Sequence, residues 1–206
     1  MNISKISVIN CQNRMITALA LTISLSSCAL LPEPTHNVET ETPTYNPSTS
    51  ARIRVLSSEN NRPYAIFRSG SCFRSFLDFD GTRVDDGLAG SFRYSTRSVV
   101  IGMPLSPRPW MRPDGLVGKT MVREYVAPAG QPITYSMGWV VDSGQYGTTR
   151  RCVPSSMVLT PEAGHDYDVY LEGQGRQCSI VAKQIDGQGL DLITPMSVAP
   201  KCSSDR

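Results

Sequence analysis

From residue 51 onward, apolar and polar residues alternate in short runs. Arg52-Ile53-Arg54-Val55 alternates strictly, the pattern of a strand with one face buried and one in water. Ile133, Tyr135, Met137 and Trp139 alternate with Thr134, Ser136 and Gly138, and Tyr167, Val169 and Leu171 alternate with Asp166, Asp168 and Tyr170. Shorter strand candidates lie at Pro63 to Phe67, at Val99-Val100-Ile101, from Met121 to Val126 and at Met157-Val158-Leu159. Gly173-Gln174-Gly175 separates the Tyr167 run from a returning run, Cys178 to Ile185, and so predicts a hairpin, with Glu172 and Arg176 placed to pair across it. No stretch after residue 51 carries several turns of helical period. The expected fold is all-β: one small β-sandwich or barrel spanning residues 51–206.

Turn chemistry agrees, with 16 Gly and 15 Pro punctuating the strands. Val126-Ala127-Pro128-Ala129-Gly130 and Leu159-Thr160-Pro161-Glu162-Ala163-Gly164 each place a Pro and a Gly ahead of a strand, through shared turn chemistry rather than duplication. Residues 29–50 have no apolar period and are dominated by Pro, Thr, Ser and Asn, so residues 28–50 are expected to be a disordered tether, with His36 a solvated linker residue.

The N-terminal end has a different pattern. Polar residues carrying Lys5 and Arg14 precede Met15 to Leu25, which has no charge. Those eleven residues are too few to span a hydrocarbon core of ~30 Å as a helix. They fit the apolar middle of an export signal covering residues 1–27. Leu25-Ser26-Ser27-Cys28 follows and resembles the lipobox of bacterial lipoprotein precursors. The resemblance implies cleavage before Cys28, diacylglycerol and palmitate on that residue, and attachment to a membrane facing the periplasm. Ala29, in place of the Asp that tends to retain enteric lipoproteins in the inner membrane, implies the outer membrane. Residues 115–185 resemble small uncharacterised lipoproteins of proteobacteria, in which a Thr-Pro-x-x-Gly turn, an aromatic strand and a late cysteine recur; that group implies no activity.

Export changes the reading of the six cysteines. Cys11 leaves with the signal and Cys28 takes lipid. Cys72, Cys152, Cys178 and Cys202 then form two disulfides in an oxidising compartment, with three connectivities open. Cys152 precedes the 157–159 strand and Cys178 lies on the returning hairpin strand, which favours Cys152–Cys178 and leaves Cys72–Cys202. No metal site is expected, because no Cys-x-x-Cys exists and the chain has 2 histidines.

Charge excludes one class. The net charge is +2, and Lys5 and Arg14 lie before the cut, so the remainder is balanced and lacks the basic field of a general nucleic-acid binder. Candidate chemistry is sparse. Gly118-Lys119-Thr120 lacks the earlier glycine of a phosphate loop, since position 113 is Pro. Asp78-Phe79-Asp80-Gly81, with Asp85 and Asp86 nearby, opens like a calcium loop but is not closed by Glu, and reads as a solvated turn. His165 beside Asp166 reads as an exposed turn residue, with no Gly-x-Ser-x-Gly elbow to partner it. No catalytic residue and no cofactor is expected.

The expected role is therefore binding or structural, in a membrane-anchored lipoprotein of the envelope. The alternative is an envelope hydrolase using carboxylates. The candidate contact site is 103–115, where prolines at 104, 107, 109 and 113 exclude a regular helix or a central strand. Arg108, Trp110, Met111 and Arg112 are of types enriched at protein interfaces, and an envelope protein is the expected partner. Trp110 either meets that partner or folds back over the edge of the sandwich.

Overall fold

Thirteen strands, β1 to β13, arrange in two sheets in the computed structural model, which describes residues 37–57, 64–74, 81–83, 97–112, 121–143, 148–174 and 177–203. The first sheet contains β1 (Asn37–Thr40), β2 (Ser50–Ser57), β5 (Arg97–Val100), β6 (Met121–Pro128), β10 (Asp166–Gln174), β11 (Gln177–Ile185) and β12 (Asp191–Thr194), in the order β1-β5-β6-β2-β10-β11-β12. The second contains β3 (Tyr64–Ser69), β4 (Thr82–Arg83), β7 (Ile133–Ser143), β9 (Met157–Leu159) and β13 (Ser197–Val198), in the order β13-β9-β7-β3-β4, with β8 (Thr148–Cys152) also on β7. The fold is an all-β sandwich.

Period-two alternation builds its core. Ala51, Ile53 and Val55 of β2, Tyr167 and Val169 of β10, and Ile180 and Ala182 of β11 point from the first sheet. They meet Ala65 and Phe67 of β3, Ile133, Tyr135 and Met137 of β7, and Leu159 of β9. Each large apolar side chain removed from water here contributes about 1.5–3 kcal/mol. The two disulfides are Cys152–Cys178 and Cys72–Cys202, the pairing expected from the sequence. The first joins β8 to β11. The second ties the C-terminal segment beside β3, where Phe73 N donates to Pro200 O (2.7 Å) and Cys202 N to Phe73 O (2.8 Å).

The two Pro-containing turns lie side by side. Gly130 (φ 72°) and Gly164 (φ 78°) both occupy the left-handed region that favours glycine. Gly130 N donates to Pro161 O (2.9 Å), and Ala129 N and Gly164 N donate to Thr49 O and Ser50 O. Both turns thereby hold the entry to β2.

Two boundaries differ from expectation. The described residues ahead of Ala51 include a strand, β1 (Asn37–Thr40), where a disordered tether was expected. β1 pairs in parallel with β5, Glu41 N donates to Val100 O (2.8 Å), and Asn46 closes a turn through Ser48 N and Ser50 N. Backbone hydrogen bonds hold this segment, and Val38 stays 44% exposed, so no apolar period betrays it. The hairpin turn also shifts. The β10–β11 ladder runs to Gln174↔Gln177, so Gly173 and Gln174 belong to the strand, with Gly173 opposite Cys178. Glu172 lies opposite Ser179, and Arg176 lies outside the described residues. So do the export signal, the lipobox with Cys28, His36, Gly118-Lys119-Thr120, Asp78 to Asp80, Asp85 and Asp86.

Candidate functional site

The alternation that buries Ile53 and Val169 sends Arg52, Arg54, Asp166 and Asp168 to the opposite face of the first sheet. Register places them as cross-strand neighbours: Asp166 opposite Arg52, Asp168 opposite Arg54, and Glu124 of β6 opposite Arg54 on its other side. Half-buried strands were expected to turn such residues to water. Instead Arg54 is 1% exposed, Asp168 0% and Glu124 3%.

The segment that covers them is the loop 101–112, the described part of the connection between β5 and β6. Its prolines prevent a ladder or an α-helix, and it forms a single 3₁₀ turn, Pro109–Met111. Charges on the sheet satisfy its polar groups. Glu124 Oε2 accepts from Ile101 N (2.8 Å) and Met103 N (3.3 Å), and Arg54 Nη2 donates to Pro104 O (2.6 Å). Arg54 also donates to Glu124 Oε1 (2.8 Å) and Asp168 Oδ1 (2.9 Å). Asp168 Oδ2 accepts from Ser106 Oγ (2.5 Å) and Arg108 Nη2 (2.9 Å). Arg52 makes two 2.7 Å hydrogen bonds to Asp166 and one to Gly102 O. Buried charges are tolerable only when paired and fully hydrogen-bonded, and this arrangement comes close to that condition.

Arg108 extends the network outward. It donates to Asp191 Oδ1 (2.6 Å) at the start of β12, where Lys183 also pairs, and its guanidinium lies 4.9 Å from the Tyr170 ring centroid. Burial disfavours its charge, but the hydrogen bonds to Asp191 and Asp168 outweigh that and hold its pKa above the ordinary value. Burial likewise works against the Asp191 carboxylate, and Arg108 and Lys183 pull its pKa below the usual range.

The four expected contact residues therefore share one loop but have different roles. Met111 is fully buried against Leu56, Val122 and Tyr170, and cannot contact a partner, which corrects the expectation for that residue. The apolar end of the same sheet face draws it inward. Arg112 Nε donates to Ser106 O (2.8 Å) and braces the loop. Trp110 packs edge-on against Tyr170, 5.2 Å between centroids, yet remains 37% exposed, so it covers the sheet and also meets solvent. Sequence reasoning passed over Leu105, 61% exposed at the crest of the loop, and the whole charged network beneath. The usable signal was the matching pair Arg-x-Arg in β2 and Asp-x-Asp in β10.

His165 sits apart from this network, with Nδ1 3.4 Å from both Glu162 Oε2 and the Tyr167 hydroxyl. Among the described residues there is no group of three potential metal ligands and no helix long and apolar enough to cross a membrane. The chain matches no family model, no curated protein and no solved structure.

Proposed function

We propose that this protein is a lipoprotein anchored through Cys28 to the outer membrane, and that its domain acts by binding an envelope protein on the 101–112 loop. One observation carries the reading. The segment 101–112 is held on the sheet by hydrogen bonds to buried charged residues, Arg54, Glu124 and Asp168, and it holds Leu105 and Trp110 at the surface. Such preorganisation lowers the ordering entropy that docking must overcome. The carboxylates of this face support binding over hydrolysis: Glu124 and Asp168 are covered and paired to arginines, and Asp166 is held by Arg52. The lipobox Leu25-Ser26-Ser27-Cys28 supports the anchor.

Two experiments test the two halves. Cys28→Ala should abolish incorporation of labelled palmitate and leave uncleaved precursor; continued labelling refutes the anchor. A photo-crosslinking amino acid at position 105 should yield one discrete adduct with an envelope protein, lost in Trp110→Ala at unchanged melting temperature. Failure to form an adduct, or a lowered melting temperature with the adduct intact, refutes the docking role.

A further inference from the structure

One segment near the C-terminus, Asp191 to Val198, ends both sheets. Its first part is β12, the last strand of the first sheet, and its second part is β13, the last strand of the second. Among the described residues β12 pairs with β11 alone and β13 with β9 alone, so the outer edge of each is open. Pro195-Met196 crosses between them, and Met196 packs against the core. The chain from Thr194 to Ser197 reaches about 10 Å when extended, the spacing of two packed sheets. The two open edges therefore lie one above the other on the same side of the sandwich.

Both edges hold apolar side chains in water: Leu192 is 58% exposed, Ile193 73% and Val198 64%. Edges of soluble sheets are normally guarded by lysine, proline or a bulge. Asp-Leu-Ile-Thr and Ser-Val contain neither lysine nor proline, and the β12 register on β11 is continuous. The single charge of the segment, Asp191, is already matched by Arg108 and Lys183, so it repels nothing that approaches. Leu192 and Ile193 are consecutive and point to opposite faces of the sheet. A body resting on one face covers one of them, whereas a strand that continues the sheet flanks both.

We infer that this side of the sandwich is an interface between two copies of the chain, in which each edge pairs antiparallel with its own counterpart across a two-fold axis perpendicular to the sheets. A foreign strand completes one edge and leaves the other open. A second copy presents both edges in the matching arrangement and closes both at once. The register that sets Ile193 against its counterpart places Leu192 across from Thr194 and leaves Asp191 in its pairing with Arg108 and Lys183. Cross-strand apolar pairs of this kind are the unit of sheet stabilisation, and such a self-matched contact closes on itself instead of propagating into a fibre. The inference does not rest on the docking role proposed for the 101–112 loop.

The test uses the full-length protein purified in detergent. Sedimentation equilibrium at matched detergent density should return twice the chain mass. Leu192→Lys puts a guarding charge on one edge and Val198→Lys puts one on the other. Each should weaken the dimer about tenfold or more, with an unchanged circular dichroism spectrum, because both side chains are exposed. A photo-crosslinking amino acid at position 193, in an otherwise unaltered chain on native membranes, should join two copies, with crosslinked peptides from 191–198. A species of single chain mass up to about 100 µM, lysine variants that dimerise as tightly as the parent, or adducts from position 193 that contain only a different protein each overturn the inference. Any of these results leaves crosslinking from position 105 unaffected.

Discussion

Arg54 and Asp168 face each other across two parallel strands, paired at 2.9 Å, with neither side chain in contact with solvent. The pair is the hub of the covered face, because Asp168 also holds Arg108 and Ser106, and Arg54 also holds Glu124 and Pro104 O. Removing one partner leaves its opposite buried and uncompensated. Asp168→Asn should therefore destabilise the domain by about 3–5 kcal/mol, measured as a lowered urea midpoint with an unchanged slope. A loss below 1 kcal/mol would mean that water reaches this pair.

Glu124→Gln tests the loop more gently. One carboxylate oxygen accepts both the Ile101 and the Met103 amides, and the amide side chain of Gln has a single acceptor, which Arg54 also seeks. Exchange of those two amide protons should quicken about tenfold, while that of the core residue Val169 should follow only the global stability. Equal acceleration at all three positions would mean that loop and core open together.

Gly173 gives a backbone prediction. Its φ is +105°, and an added Cβ would run into Gln177 O and sit 3.1 Å from Cys178 Cα, both backbone atoms that cannot swing away. Gly173→Ala should cost about 2 kcal/mol or more, whereas Gly187→Ala, which meets nothing within 4 Å and has no positive φ, should stay within about 0.5 kcal/mol. Similar effects at both sites would contradict this placement of the hairpin.

Alkaline pH should weaken the fold through its tyrosines. Burial raises the pKa of Tyr125 well above 10.0, and burial also raises those of Tyr135 and Tyr167. Above about pH 10 the unfolded chain releases these protons and the folded chain keeps them, so their contribution, complete below the unfolded pKa, declines as pH rises toward the folded values. Urea midpoints should fall between about pH 9 and about pH 11. Tyrosinate absorbance should show these phenols ionising together with unfolding. Smooth ionisation of every tyrosine near pH 10 in folded protein would contradict their burial.

Legibility followed the physics of each element. β2, β3, β6, β7, β9, β10 and β11 were readable because one face of each packs in the core, and Ile53, Tyr135 and Val169 carry that period. The disulfide pairing followed from the expected compartment and from strand order. β1, β4, β12 and β13 are short ladders at or beside sheet edges, held by backbone bonds that place no demand on side chains, and Leu192 and Ile193 of β12 stay 58% and 73% exposed. The candidate site was readable only as a proline-rich loop with interface-type residues. Its foundation was hidden because Arg52, Arg54, Asp166 and Asp168 have the alternation of a wet face. What covers this face is the segment 101–112, with Pro104 O on Arg54, Ile101 N and Met103 N on Glu124 and Ser106 Oγ on Asp168, long-range contacts that the alternation does not encode.

The start of β1 at Asn37 also sets a length. In the anchored form proposed above, only residues 29–36 lie between the lipid-bearing Cys28 and the first paired residue of the sheet. Fully extended at ~3.3–3.6 Å per residue, that leash reaches about 30 Å, on the order of the diameter of the domain itself. A leash ending at residue 50 would have reached more than twice as far. In that anchored form the domain would be confined to a shallow layer against its own bilayer, at high local concentration for anything embedded in that leaflet. A partner would then have to come to the membrane surface to meet it, and lengthening the stretch before Asn37 by a dozen flexible residues would widen that layer without touching the fold.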